Sequence, residues 1–129
     1  MAKQAEFTGN WKSGRDNINM NLPVIMFEED GAQIVYCPAL DVSGYGKNTD
    51  EANESFKTSL SEFFKYTLHK NTFISELSRM GWTIRKNKNK PMHPPEMSEL
   101  LETNDNFKRI FNNFPYNKVD RNISIPLCA

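Results

Sequence analysis

The chain has 129 residues with 16 basic and 16 acidic side chains, so its formal net charge is zero at pH 7. A chain of this length can fold as one domain without a disulfide or a metal, and its overall charge offers no basis for nonspecific nucleic-acid binding. Cys37 and Cys128 show no zinc or redox spacing. No apolar run approaches the roughly 20 residues of a membrane span, and no signal peptide is evident. We therefore expect a cytoplasmic protein, without membrane association or cofactor.

The first predicted elements are a loose arm and a hairpin. Residues 1–17 are polar and lack periodicity, which predicts the arm. Alternation then begins, and five apolar residues share one face of a strand: Ile18, Met20, Leu22, Val24 and Met26. Pro23 cannot donate a ladder hydrogen bond, so it favours an edge position or a bulge. Asp30-Gly31, between two alternating segments, predicts the hairpin turn.

Two more strands and a long helix follow the hairpin. Gln33 to Cys37 alternates as a strand, and a third short strand is predicted from Leu40 to Ser43, directly after Pro38. The period then changes to that of an amphipathic helix, over about residues 49–69. We expect the three strands to form an antiparallel meander that this helix covers on one face.

The remainder of the predicted domain is a second helix and a last strand. Thr72 is the predicted N-cap of a short helix that Gly81 ends. Residues 82–86 return to a strand pattern. Residues 18–86 are therefore predicted to form an α+β domain, an antiparallel β-β-β-α-β two-layer sandwich.

Residues 87–129 are predicted to form a linker and a carboxy-terminal extension. Three prolines and several cations mark the linker. Met97–Leu101 and Phe107–Phe111 are short helical candidates, and the segment "NISIPLCA" is a possible terminal strand. No clear DNA-binding unit is predicted in this extension, so we do not expect DNA binding.

The glycine-containing loop before the long helix could bind a phosphate or only turn the chain. Gly44 and Gly46 precede the helix, but Asp50 and Glu51 enter its first turn and would repel a phosphate. Asn48 with Glu51 instead forms a capping box. We interpret the loop as architecture, with five residues that turn the chain and cap the helix: Pro38, Gly44, Gly46, Asn48 and Glu51.

Acidic side chains are the candidates for a metal or acid–base site. Glu28, Glu29, Asp30 and Asp41 could approach one another across the hairpin and hold a metal or share a proton. However, residues 28–30 lie in the turn, where acids are usually solvated, and no histidine joins them at ligand spacing. We predict no catalytic residue and no metal site, and hence a protein that is not an enzyme.

The order of residues in "FEEDGAQIVYCPALDVSGYGKNTDEA" resembles the HicB family of antitoxins. That family combines an acidic-Gly hairpin, a strand ending in Pro-x-Leu, a Gly-containing turn and Gly-x-Thr-x-x-Glu-Ala at the start of a helix. The matching residues are Asp30, Gly31, Tyr36, Pro38, Leu40, Gly44, Gly46, Glu51 and Ala52. The family threonine falls on Asn48, and "LSRMGW" is similar to the family's Leu-x-x-x-Gly-Trp. The resemblance covers about residues 20–86.

This resemblance implies a partly formed ribonuclease-H-like fold that lacks catalytic carboxylates and acts as a binding module. Members of the family mask HicA, a small toxin that resembles double-stranded-RNA-binding domains and cleaves messenger RNA. Many also carry a carboxy-terminal helix-turn-helix or ribbon-helix-helix that represses their own operon, which residues 87–129 do not match. We thus expect a non-enzymatic protein with a small HicA-like toxin as partner.

Two groups of residues are predicted to contact partners. Pairing at a sheet edge is the expected mode, through the strands that carry Leu22, Val24, Leu40 and Val42. We also expect a homodimer or higher homo-oligomer that uses the same sheet. The second group is a basic run that could contact nucleic acid or an acidic partner, or form a solvated linker: Arg85, Lys86, Lys88 and Lys90.

Two alternatives stay open. One is a stand-alone regulatory or structural module of the same fold without a toxin. The other is a metal-dependent nuclease that uses Glu28, Asp30 or Asp41 on a divalent cation.

Overall fold

The structure, a computed structural model, describes residues 6–7, 17–84 and 92–126. The elements in chain order are β1 (Glu6–Phe7), β2 (Asn17–Glu29), β3 (Ala32–Cys37), β4 (Val42–Gly46), α1 (Thr49–His69), α2 (Phe73–Arg79), β5 (Thr83–Ile84), β6 (Met92–His93), α3 (Met97–Thr103), α4 (Asp105–Asn113) and β7 (Tyr116–Pro126). The main sheet has the order β1-β7-β2-β3-β4. Its strands pair antiparallel except for β1, which runs parallel to β7. The protein is therefore mixed α and β, as predicted.

The hairpin between β2 and β3 has the predicted two-residue turn. Glu29 pairs with Ala32, and the residues between them, Asp30 and Gly31, have φ angles of 52° and 82°. Positive φ at both central residues defines a type I′ turn, whose twist matches that of the flanking strands. The Asp-Gly pair thus sets the register of β2 on β3.

The strand after Pro38 begins two residues later than predicted. Cys37 pairs with Val42, so residues 38–41 form a turn, in which Leu40 N donates to Cys37 O at 3.3 Å. Asp41 closes the turn with a φ of 54°. The prediction placed the start of this strand at Leu40 because Leu40 is apolar. Leu40 is buried in the turn, and the sequence alone does not distinguish a buried apolar residue in a turn from one in a strand.

Helix α1 has the predicted bounds and the predicted amino-terminal cap. Asn48 Oδ1 accepts a hydrogen bond from Glu51 N at 2.9 Å. Glu51 Oε1 accepts from Lys47 N at 3.0 Å, one residue before the partner that a capping box would use. Both side chains therefore satisfy backbone donors at the junction between β4 and α1.

Replacing Asn48 by alanine is expected to lower the free energy of unfolding by about 1 kcal/mol, because Glu51 N would lose its acceptor at the helix start. Urea denaturation of the two proteins measures the difference. Asn48→Asp retains a side-chain acceptor and is the matched control, with stability close to that of the natural protein. Equal losses in both variants would show that the cap bond does not stabilise α1.

Helix α1 lies unusually close to the edge strand β4. A Cβ atom built on Gly44 would come within 2.1 Å of the backbone nitrogen of Phe56, and one on Gly46 within 2.4 Å of the Cβ atom of Glu51. Real atoms cannot approach so closely, so only glycine fits at Gly44 without moving the backbone of α1. These two glycines let the helix cover one face of the sheet.

The opposite face of the sheet is covered by the chain around α4. Because side chains alternate along a strand, Tyr36 and Phe27 point away from the face that carries Gly44. Tyr36 contacts Asn104, the residue before α4, and the Phe27 ring lies 5.2 Å from that of Phe114. Helical segments therefore lie on both faces, whereas the expected two-layer sandwich has them on one. The prediction from sequence did not include residues 97–114 in the packing against the sheet.

The main sheet is completed by β7 and not by the predicted strand at residues 82–86. β7 pairs with β2 along eleven residues, from Asn17↔Pro126 to Phe27↔Tyr116. Within the described residues, the predicted strand is reduced to β5, which pairs only with β6. The short alternation of residues 82–86 could not show which strand it would pair with, since pairing depends on distant residues.

β2 pairs with β7 over residues 17–27 and with β3 over residues 25–29, so it has a neighbour on both sides only at residues 25–27. Pro23 pairs with Asp120 of β7, and β3 pairs only with residues 25–29 of β2. Pro23 has no backbone N–H to donate, but it lies outside the segment that pairs with β3, so the β2–β3 ladder loses no hydrogen bond.

None of the four helices in the described segments combines the length and the apolar character that a bilayer crossing requires.

Candidate functional site

Three polar side chains meet where the β3–β4 turn contacts the start of α4. The Tyr36 hydroxyl donates to Asp41 Oδ1 at 2.5 Å and accepts a hydrogen bond from Asn104 Nδ2 at 2.9 Å. Tyr36 is buried, whereas Asp41 is exposed. The chain of hydrogen bonds thus links the interior of the sheet to a surface carboxylate.

Asn104 is placed by the junction between α3 and α4. Its Oδ1 accepts from Phe107 N at 3.0 Å and so caps α4. Its Nδ2 also lies 3.4 Å from the carbonyl oxygen of Pro38. One amide therefore both begins the helix and attaches it to the turn before β4.

An open cleft of about 360 Å³ lies beside this network. It is bounded by the β3–β4 turn, the end of α2 and the α3–α4 junction, and it is lined by Pro38, Asp41, Arg79, Met80, Gly81, Leu100, Thr103, Asn104, Asp105 and Asn106. We call it the Asp41 cleft. Its lining combines carboxylates, amides and apolar residues, and such a surface suits the polar side chains of a partner.

The charges of the Asp41 cleft are two carboxylates and one guanidinium. Asp41 and Asp105 carry the negative charges. Arg79 forms an ion pair with Glu76 at 2.8 Å, and the hydrogen bond to Glu76, its charge and the charge of Asp41 raise the pKa of Arg79. Because Arg79 already faces a carboxylate outside the cleft lining, the cleft keeps an excess of negative charge.

The environment of Tyr36 favours its protonated form. Burial, and then the hydrogen bond to Asp41, raise the pKa of Tyr36 well above its ordinary value of 10.0. In the unfolded chain the same hydroxyl would ionise near that ordinary value. The folded protein therefore holds this proton to higher pH than the unfolded chain does, and stability must fall with pH once the unfolded form ionises.

We expect the stabilisation from protonated Tyr36 to be fully present below about pH 10 and to be lost as the pH rises through the raised pKa. The decline is about 1.4 kcal/mol per pH unit in this window. Other groups also titrate there, so Tyr36→Phe provides the comparison: its free energy of unfolding should fall less steeply above pH 10. Parallel pH profiles from urea denaturation would contradict the raised pKa.

A second groove of about 230 Å³ adjoins the same face of the sheet. Phe27, Ile34 and Ile110 supply its apolar surface, and Glu29 pairs with Arg109 at 3.2 Å at its side. Together with the Asp41 cleft, it follows the contact between the sheet and α4. Residues that follow the predicted domain of residues 18–86 supply part of the lining of both.

The four apolar residues predicted for partner binding are all buried. Leu22 and Val24 lie on β2, Leu40 lies in the β3–β4 turn and Val42 opens β4. Their side chains belong to the hydrophobic core. A partner strand could reach these residues only through their backbone, so partner binding at these positions stays a prediction that needs an open strand edge.

The outer edge of β4 is closed in part by α1. Tyr45 N donates to Ser55 Oγ at 3.1 Å, and Lys47 N donates to Glu51 Oε1 at 3.0 Å. Helix side chains thus take two backbone donors that a partner strand would otherwise use. Native edge strands are commonly protected in such ways, and this protection argues against strand addition at β4.

The predicted basic run falls outside the described residues. Arg85, Lys86, Lys88 and Lys90 lie in the segment 85–91, which the structure does not describe. Their role in contacting nucleic acid or an acidic partner stays a prediction from sequence.

The carboxylates considered for a metal site do not come together. Glu28 accepts a hydrogen bond from Gln33, and Asp30 forms the hairpin turn. Asp41 follows the other end of the six-residue strand β3, about 20 Å away at the rise of a strand. Across residues 6–7, 17–84 and 92–126, no three His, Cys, Asp or Glu side chains are grouped so that they could hold a metal ion.

Asn104 was not among the candidates from sequence. An asparagine before a helical segment is a recognisable N-cap signal, but the predicted helix began later, at Phe107. Its contact with Tyr36, 68 residues earlier in the chain, has no local signal.

Comparison with known proteins identifies no relative. No family model, no curated protein and no solved structure matches this chain.

Proposed function

We propose that this chain is a HicB-like antitoxin-type binding protein that associates with and masks a small RNA-cleaving HicA-like toxin. The observation that carries the proposal is that the residues behind the resemblance act together in one structural unit. Asp30-Gly31 forms the hairpin turn, Gly44 and Gly46 admit α1 onto β4, and Asn48 and Glu51 cap α1. Because these residues form one structural unit, they support a resemblance in fold.

The Asp41 cleft is the surface that best suits a basic toxin. Asp41 and Asp105 give it an excess of negative charge beside the exposed amide of Asn106. Complementary charge steers association and selects partners, and both carboxylates would attract a partner lysine or arginine. We therefore assign toxin contact to this cleft in preference to the protected edge of β4.

Co-expression tests the proposal most directly. Where a short reading frame lies beside the gene, it is expressed alone and together with this chain, and growth and co-purification are measured. The expected result is arrested growth with the toxin alone, restored growth with both, and a complex that purifies intact. A folded chain that neither binds the neighbouring product nor restores growth would overturn the proposal.

The cleft is tested with a paired substitution of Asp41→Asn and Asp105→Asn. It should weaken toxin binding by about tenfold or more, because buried or close charge pairs across an interface contribute strongly. Glu54→Gln, on an exposed position of α1, is the control and should bind as the natural protein does. Equal affinities for all three proteins would place the toxin elsewhere.

The second candidate is a stand-alone module of the same fold. It is favoured by the position of α3, α4 and β7, which complete the sheet and its core and do not stand apart as a separate unit. A folded chain with no neighbouring toxin would support it.

The metal-dependent nuclease lacks the metal site that Glu28, Asp30 and Asp41 would have formed, and an assay for RNA cleavage over a range of divalent metals tests it independently.

A further inference from the structure

The second half of α1 carries an exposed aromatic residue at the centre of a narrow surface, the α1 stripe, formed by Glu62, Phe63, Tyr66 and Lys70. Tyr66 is 64% exposed, although a large aromatic side chain is costly to leave in water. Phe63 is half-buried beside it. Residues three and four apart share one face of a helix, so these four side chains form one continuous surface.

A groove of about 570 Å³ runs along the α1 stripe. It lies between α1 and α2 and is lined by Phe63, Tyr66, Thr67, Lys70, Thr72 and Glu76. A concave surface with an aromatic centre is the kind of site that a helix from another chain occupies. The stripe shares no residue with the Asp41 cleft.

The charges of the α1 stripe are arranged symmetrically about Tyr66. Glu62 lies four residues before Tyr66, and Lys70 lies four residues after it. Lys70 N donates to Tyr66 O at 2.9 Å, so helical spacing continues to Lys70. Each charge is therefore about 6 Å from Tyr66 along the helix axis, with the opposite sign at the opposite end.

We propose that the α1 stripe binds the α1 stripe of a second copy of this chain, with the two helices antiparallel and the two-fold axis at Tyr66. In this arrangement, Glu62 of each copy faces Lys70 of the other, and the two Tyr66 rings pack together over the Phe63 side chains. A two-fold interface must be self-complementary, and this charge pattern is. Parallel helices would instead place like charges together, which disfavours that arrangement.

Two other charged groups near the stripe, Glu76 and Lys65, are compatible with this pairing. Glu76 of α2 lines the groove but pairs with Arg79 at 2.8 Å, so it adds little unbalanced charge. Lys65 precedes Tyr66 by one residue and so points about 100° away around α1. The proposed dimer uses a helix face, whereas the sequence had suggested a sheet edge.

Charge reversal tests the proposal on the purified chain by sedimentation equilibrium and light scattering. The natural protein should be a dimer that dissociates on dilution. Glu62→Lys alone and Lys70→Glu alone should each weaken it by about tenfold or more, because each brings like charges together twice per dimer. The double variant restores both pairs and should dimerise again. Lys65→Glu is the matched control and should leave the dimer unchanged.

Cross-linking tests the position of the two-fold axis. In a Cys128→Ser background, where the other thiol, Cys37, is buried, Tyr66→Cys should form an intermolecular disulfide on mild oxidation, and Lys65→Cys should not. A natural protein that stays monomeric at all accessible concentrations would overturn the proposal. So would a dimer that is insensitive to both single charge reversals, or equal cross-linking at the two positions. These measurements need no toxin, so their outcome is independent of the proposed antitoxin function.

Discussion

Replacing Phe107 by alanine is expected to lower the free energy of unfolding by about 3–5 kcal/mol, the usual cost of emptying a buried aromatic site. Phe107 is only 1% exposed and belongs to the same hydrophobic core as the residues of β2 and α1. Its loss should therefore weaken the whole protein. Urea denaturation followed by circular dichroism should show one cooperative transition at a lower midpoint.

Phe111→Ala is the control within the same helix. Phe111 is 44% exposed, and its ring contacts those of Phe107 and Tyr116, so its replacement should cost about 1 kcal/mol. If Phe107→Ala caused an early, separate transition and left the rest of the protein at its original stability, α4 would be an independent appendage. The carboxy-terminal residues would then not share the core of the sheet.

Replacing Gly44 by alanine is expected to cost about 3 kcal/mol or more, at the upper end of overpacking effects. The added Cβ atom would lie 2.1 Å from Phe56 N and 2.4 Å from Phe56 Cα. These are backbone atoms of α1, and no side-chain rotation can relieve the contact. The helix must therefore move away from β4 and loosen the core beneath it, which chemical denaturation would measure.

Gly31→Ala separates this steric effect from backbone conformation. Gly31 has a φ of 82°, but no atom lies within 4 Å of an added Cβ atom. Alanine there should cost only about 1 kcal/mol, the penalty of the left-handed conformation. Equal losses at the two positions would show that the contact between Gly44 and α1 relaxes easily, and that the glycine is not required for packing.

The elements that could be predicted from sequence are those specified by neighbouring residues. Asp30-Gly31 specifies its own turn because glycine and aspartate tolerate positive φ. The bounds of α1 follow from its apolar period and from the Asn48 cap. Gly81 ends α2 as expected: Trp82 N donates to Leu77 O at 3.0 Å, as in a Schellman motif. In each case the signal and the structure lie within a few residues of each other.

The candidate site could be predicted only in part. Tyr36 and Asp41 lie five residues apart, on a strand and in the turn after it, and both belong to the segment that carries the HicB resemblance. Asn104, Asp105 and Arg79 reach the Asp41 cleft from other elements. No local pattern indicates that these elements converge, because convergence depends on how α2 and α4 pack.

The sequence by itself determined the local conformation of most elements and the side of each one that is apolar. The alternation in β2 and the helical period of α1 carry that information directly. Only the tertiary structure decided which surfaces meet: β7 lies beside β2, and α4 covers the face that α1 leaves open. The physical reason is that hydrophobic burial is non-directional. An apolar face must be covered, but its period does not specify which distant segment of the chain will cover it.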